Sequence, residues 1–101
     1  MNGIDFNQII NTETPVLVSI SSRYCDPCFL QKMILDKVKK YIGQKIFIIS
    51  IDADNYQELA AEHNAIDKPA LLLFTNGKLI WKQKEILSTK EIIQIVLEKT
   101  F

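Results

Sequence analysis

An α/β fold is predicted, with one mixed central sheet of about four strands and helices flanking both faces. Three observations carry it. Apolar, β-branched runs alternate with amphipathic helical patterns, the order expected of a parallel β-α-β unit. A late pair of apolar runs joined by Asn76-Gly77 adds an antiparallel hairpin. Between the first run and the long helix stands Cys25-Asp26-Pro27-Cys28, which holds both cysteines of the chain.

The 101 residues suit one domain, residues 1–101, large enough for a core without metal or structural staples. Hydrophobic residues make up 48% and charged residues 24%, ordinary for a globular domain. Net charge is zero with no long basic run, which argues against nucleic acid and anionic membrane as partners. No apolar run approaches the ~18 residues of a spanning helix. Met1 to Asp5 lacks a basic stretch followed by an apolar one, so no signal peptide and a cytoplasmic location are expected. Structural disulfides are rare there, and a lone C-x-x-C is more often catalytic or metal-binding.

Taken in order, Asp5 is an N-cap candidate with Gln8 at N3, and Phe6, Ile9 and Ile10 form the apolar face of a short helix. Pro15 to Ile20 reads as a strand buried on both faces. Ser21 to Tyr24 delivers Cys25, and Pro27 suits a first helical turn, where its missing N–H costs nothing. The long helix, Phe29 to Ile42, has an apolar stripe of Phe29, Leu30, Met33, Ile34, Val38, Tyr41 and Ile42. Lysines gather at its C-terminal end, and Gly43 suits the residue after it.

Lys45 to Ile51 predicts a second strand of buried character, parallel to the first through a right-handed crossover. Asn55 and Glu58 have capping-box spacing and open a short helix through about His63, with Leu59 and His63 on one face. Pro69 to Thr75 and Lys78 to Lys82 form the hairpin. The last helix follows Ser88 as N-cap, Glu91 at N3 and Leu87 stapled to Ile92; Ile92, Ile93, Val96 and Leu97 face inward.

The C-x-x-C admits several chemistries. A helix N-terminus presents free N–H groups and partial positive charge, which favour a thiolate at the first cysteine. A structural disulfide closing so short a loop would contribute only roughly 2 kcal/mol, against ~3 for a 15-residue loop. With His63, the two cysteines make at most three zinc ligands, so a metal or cluster would need a dimer. Redox exchange, metal binding and a site without turnover are the readings in play. Asp26 places a carboxylate beside Cys25, either opposing its thiolate, with Arg23 as a counterweight, or capping the helix. His63 is expected to be packing, Trp81 a sheet-face residue, and the helix lysines a solvated face.

With these elements in place the chain resembles the thioredoxin family from about Phe6 to Lys99. The anchors are Pro15 to Val18, Tyr24 to Cys28, Ile51-Asp52, Lys68 to Phe74, and Asn76-Gly77-Lys78. The resemblance implies the thioredoxin fold and reduction of protein disulfides by dithiol–disulfide exchange. It implies Cys25 as the exposed attacking cysteine, Cys28 as the buried resolving one, and Pro69 as a cis-proline packed beside the disulfide. Tyr24, Asp26, Pro27, Lys68 and Pro69 then line the substrate groove, where Lys68 would favour acidic peptides. No bound cofactor or metal is implied; the partners are disulfide-containing client proteins and an external reductase, and the protein acts as a monomer. The chain also departs from the family. Tyr24 and Asp26 replace the usual Trp and Gly, and Glu85 stands at a glycine position beside the groove. The family's buried acid and its lysine partner, thought to shuttle protons for the resolving thiol, fall on Ser19 and Ile48. The family's first edge strand is expected to be short or absent, since only Met1 to Ile4 precede the first helix. A thioredoxin-fold interaction module with little turnover is the alternative reading.

Overall fold

The computed structural model describes residues 6–22, 25–62 and 69–101. Its elements are α1 (Phe6–Ile10), β1 (Val16–Ser21), α2 (Asp26–Ile42), β2 (Phe47–Asp52), α3 (Gln57–Glu62), β3 (Ala70–Thr75), β4 (Lys78–Gln83) and α4 (Thr89–Thr100). A 3₁₀ turn, Gly43–Lys45, follows α2. The strands form one sheet in the order β2-β1-β3-β4. β1 runs parallel to β2, pairing Leu17 with Ile48 and Ser19 with Ser50. β3 lies antiparallel to β1, with Ser19 opposite Leu71 and Ile20 opposite Ala70. The expected mixed four-stranded sheet is therefore present.

The sheet divides two cores, because side chains alternate along each strand. On one face Val16, Val18, Ile20, Leu72 and Phe74 pack with Ile10 of α1 and Ala60 of α3. Phe6 closes this core edge-on against Tyr56 and Phe74, with ring centroids 6.4 and 5.6 Å away. On the other face Leu17, Leu71 and Leu73 meet Leu35, Val38 and Ile42 of α2 and Ile92 and Val96 of α4. β1 and β3 are buried through their first five residues, which explains their unbroken apolar runs.

β2 differs from its expected burial. It pairs with β1 alone among the described strands, so as an edge strand it leaves Phe47 and Ser50 exposed. Met1 to Ile4, where the family's edge strand is expected to be short or absent, and the Asp5 cap lie outside the described residues.

The hairpin turn is as expected: Asn76 has φ 50° and Gly77 φ 80°, the left-handed pair of a type I′ turn. The Gly77 N–H donates to the Ile10 carbonyl at 3.0 Å and that of Asn76 to Thr12 at 3.1 Å, tying the turn to the end of α1. A bulge between Leu73 and Phe74 shifts the β3–β4 register. Ser88 caps α4 in a full capping box: the Glu91 N–H donates to Ser88 Oγ at 3.1 Å and the Ser88 N–H to Glu91 Oε1 at 3.0 Å. The Ser88 N–H, and after it the Ser88 hydroxyl, hold the Glu91 acid below its ordinary value by favouring its carboxylate. Leu87 and Ile92 join the same core, as the staple requires. α3 ends at Glu62, and His63 lies outside the described residues.

Candidate active site

β1 leaves the sheet at Ser21, and α2 begins at Asp26. Cys25, between them, is the N-cap of α2, with extended backbone at φ −131° and ψ 97°. The N–H of Cys28 donates both to the Cys25 carbonyl at 3.1 Å and to Cys25 Sγ at 3.2 Å. A helix leaves its first N–H groups without intrahelical acceptors, and here the cysteine sulfur takes the place of a capping oxygen. Capping therefore falls to Cys25 and not to Asp26, which lies exposed in the first turn beside Pro27, where its charge suits the helix dipole.

Cys25 and Cys28 are joined as a disulfide with their Cα atoms 5.2 Å apart. Cys25 is 2% exposed and Cys28 7%. The expectation of an exposed attacking cysteine is thus not met in this oxidised state: the sulfur of Cys25 is held by its bond to Cys28 and by the Cys28 N–H, and both residues are buried in the first turn.

Pro69 is buried and immediately precedes β3, whose Ala70 pairs with Ile20 near the end of β1. The topology therefore brings Pro69 to the sheet end from which the cysteine motif departs. Arg23, Tyr24 and Lys68 lie outside the described residues, and with them the Lys68–Pro69 peptide bond expected to be cis. Glu85 is exposed just beyond β4, its N–H donating to the Gln83 side chain at 3.2 Å.

The helix phase corrects the sequence reading. α2 buries Cys28, Gln31, Leu35, Val38 and Ile42, spaced by three and four residues. Phe29, Leu30, Met33 and Tyr41 are instead 50–73% exposed. The reason is local: the disulfide and the cap hold Cys28 inward, and the 3.6-residue repeat counted from there carries these four apolar residues off the packed face.

That phase reveals Gln31, which the apolar stripe had hidden. Gln31 Nε2 donates to Ser19 Oγ at 3.1 Å, with both residues buried. Ser19 thus sits on the helix-covered face of β1, where the family's acid was expected, and a neutral amide–hydroxyl pair occupies the space. Ile48 packs as a partly buried member of the same core. Beside Cys28 lies a cavity of about 200 Å³, lined by Ser19, Ser21, Ser22 and Ser50 and reached by Phe29 and Lys32.

A cysteine pair closing the first turn of a helix, at the end of a buried parallel strand, decides the family together with the sequence match. The thioredoxin family model matches residues 1–98. The chain belongs to the thioredoxin family. A thioredoxin-like protein of the cyanobacterium Synechocystis is 30% identical over 80 residues, covering 79% of this chain and 76% of its own. The mitochondrial thioredoxin of Bos taurus is 32% identical over 82 residues, 80% of this chain and 49% of its own. The chain thus spans about three quarters of one relative and about half of the other. A mutant thioredoxin from Halobacterium salinarum superposes with a TM-score of 0.80 at 18% identity, over 94% of this chain and 82% of its own, a likeness of fold. The Cys25–Cys28 pair fits the C-x-x-C motif of these thiol–disulfide oxidoreductases.

Proposed function

We propose that the protein reduces disulfides in client proteins by dithiol–disulfide exchange through Cys25 and Cys28. The observation that carries this reading is the closed Cys25–Cys28 pair capping α2. In the reduced protein the Cys25 thiolate attacks one sulfur of a client disulfide. The client S–S bond breaks, its other sulfur leaves as a thiolate and takes up a proton, and Cys25 is left in a mixed disulfide. The Cys28 thiol then loses its proton and attacks Cys25 Sγ. The mixed disulfide breaks, and the client departs with two electrons and two protons gained. An external dithiol reductase resets the Cys25–Cys28 disulfide.

Asp26, Pro27 and Pro69, with Tyr24 and Lys68, form the client groove in this reading, and the chain works as a single-domain cytoplasmic monomer without a bound cofactor. Native mass of the purified protein tests the monomer and the lack of a bound cofactor, and fractionation of the source cells tests the location. Turnover is tested by reduction of insulin with dithiothreitol as the electron source. Precipitation well ahead of the dithiothreitol background is expected, with Cys25→Ser and Cys28→Ser at background. Ser19 in place of a carboxylate favours one second reading, an interaction module that keeps the fold without turnover; a parent protein at background would establish it.

A further inference from the structure

Resolution of the mixed disulfide requires the Cys28 thiol, 7% exposed, to give up a proton from inside the protein. The hydrogen-bond partners of Ser19 and the lining of the adjoining cavity show what is available to receive it. β1 and β2 run in parallel register, so Ser19 and Ser50 stand side by side on the face covered by α2, one pair beyond Leu17 and Ile48. Where that row begins in hydrocarbon it continues in hydroxyls. These, with Ser21 and Ser22, line the cavity beside Cys28. At about 200 Å³ and with this many polar partners, it can hold several water molecules. Gln31, by donating to Ser19 Oγ, fixes that hydroxyl as an acceptor from α2 and leaves its own proton free to point elsewhere.

Lys32 follows Gln31, is exposed, and lines both this cavity and a second of about 170 Å³ one turn further along α2. Apart from Cys28 it is the only ionisable residue of the first cavity among the described residues. The other charged groups of these elements are otherwise placed. Asp36 and Lys39 line the second cavity with Lys32, Lys37 and Lys40 are exposed further along α2, Asp26 lies exposed in its first turn, and Asp52 at the end of β2 accepts from the Asp54 N–H at 2.8 Å.

We infer that the serine-lined cavity is the proton exit for Cys28 and that Lys32 is its positioning cation. This rests on the exchange reaction proposed above. The proton leaves Cys28 Sγ through cavity water and hydroxyls to solvent, the ammonium stabilises the sulfur's negative charge, and the thiolate's electron pair forms the bond to Cys25 as the client thiolate departs. Lys32 acts through the field it sets at Cys28 and does not itself touch the reacting sulfurs.

The test isolates that step. A mixed disulfide between Cys25 and 5-thio-2-nitrobenzoate is prepared, and release of the coloured thiolate is followed from pH 5 to 10. Lys32→Met raises the pH midpoint of release by roughly half to one unit. Below that midpoint release slows by about twofold to fourfold, since a loss of thiolate of about threefold to tenfold is partly offset by its greater nucleophilicity. Lys32→Arg retains the parent midpoint. Ser50→Val, which narrows the cavity on an exposed strand position, slows release below the midpoint and leaves the high-pH plateau unchanged, where the proton has already gone. A profile for Lys32→Met or Ser50→Val that superposes on the parent overturns the inference while leaving the exchange reaction standing. A parent that releases nothing at any pH removes both.

Discussion

Gln31 Nε2 and Ser19 Oγ, both of buried residues, meet at 3.1 Å between α2 and β1, one helical turn beyond Cys28. The bond joins the helix that carries the resolving cysteine to the strand that delivers the motif. A buried polar group without a partner costs more than the net gain from pairing it, so this pair is expected to respond unequally to single and double replacement. Ser19→Ala strands the amide and lowers stability by about 1–3 kcal/mol. Ser19→Ala with Gln31→Leu removes both partners and recovers at least half of that loss. Urea unfolding measures both; a double variant no better than the single would show that the hydrogen bond is not what matters there.

The phase of α2 makes its own prediction. Leu35 is 4% exposed within the core shared with α4, whereas Met33 is 62% exposed. Leu35→Ala is expected to cost about 2–5 kcal/mol through lost burial and the cavity left behind. Met33→Ala stays within about 0.5 kcal/mol. Similar losses at the two positions would mean that the helix follows the apolar stripe of its sequence.

Gly77 is a backbone requirement. A Cβ there would meet Asn11 Oδ1 at 3.5 Å, an ordinary contact, but φ is +80°. Gly77→Ala therefore destabilises by about 1–2 kcal/mol through backbone strain alone. Shortening Asn11 to Ala in the same chain does not relieve it. Relief by that second change would place the cost in the side-chain contact.

The capping box of α4 links stability to pH. The folded-state value of Glu91 is depressed, chiefly by the Ser88 backbone hydrogen bond and then by its hydroxyl. A depressed carboxylate contributes stability that is fully present above the unfolded value, about 4.5, and is lost as pH falls through the lower folded value. Glu91→Gln should flatten the stability profile below about pH 4.5 while keeping a neutral cap. Ser88→Ala is expected to cost about 1 kcal/mol at neutral pH. A profile for Glu91→Gln as steep as the parent's would assign the acid sensitivity to other carboxylates.

Local chemistry determined much of this protein before any contact was known. The Asn76-Gly77 turn, the Ser88–Glu91 box and the unbroken apolar runs of β1 and β3 each follow from backbone preference or from burial on two faces, and each was legible from neighbouring residues. The C-x-x-C at a strand–helix junction marked the candidate site, because a helix N-terminus acts on whatever sulfur stands there. Tertiary structure decided the rest. Phe29, Leu30, Met33 and Tyr41 look as apolar as any core residue, and the packing of Cys28, Leu35, Val38 and Ile42 turns them outward. The place of β2 at the edge of the described strands depends on strand order, which composition does not encode. Gln31 and Ser19 lie 12 residues apart and carry no shared motif; they became a pair when the crossover laid α2 across β1. Lys32, Ser50 and Cys28 come from two elements and converge on one cavity for the same reason. A sequence specifies each group's chemistry, but which groups face one another is set by helix phase and strand register together.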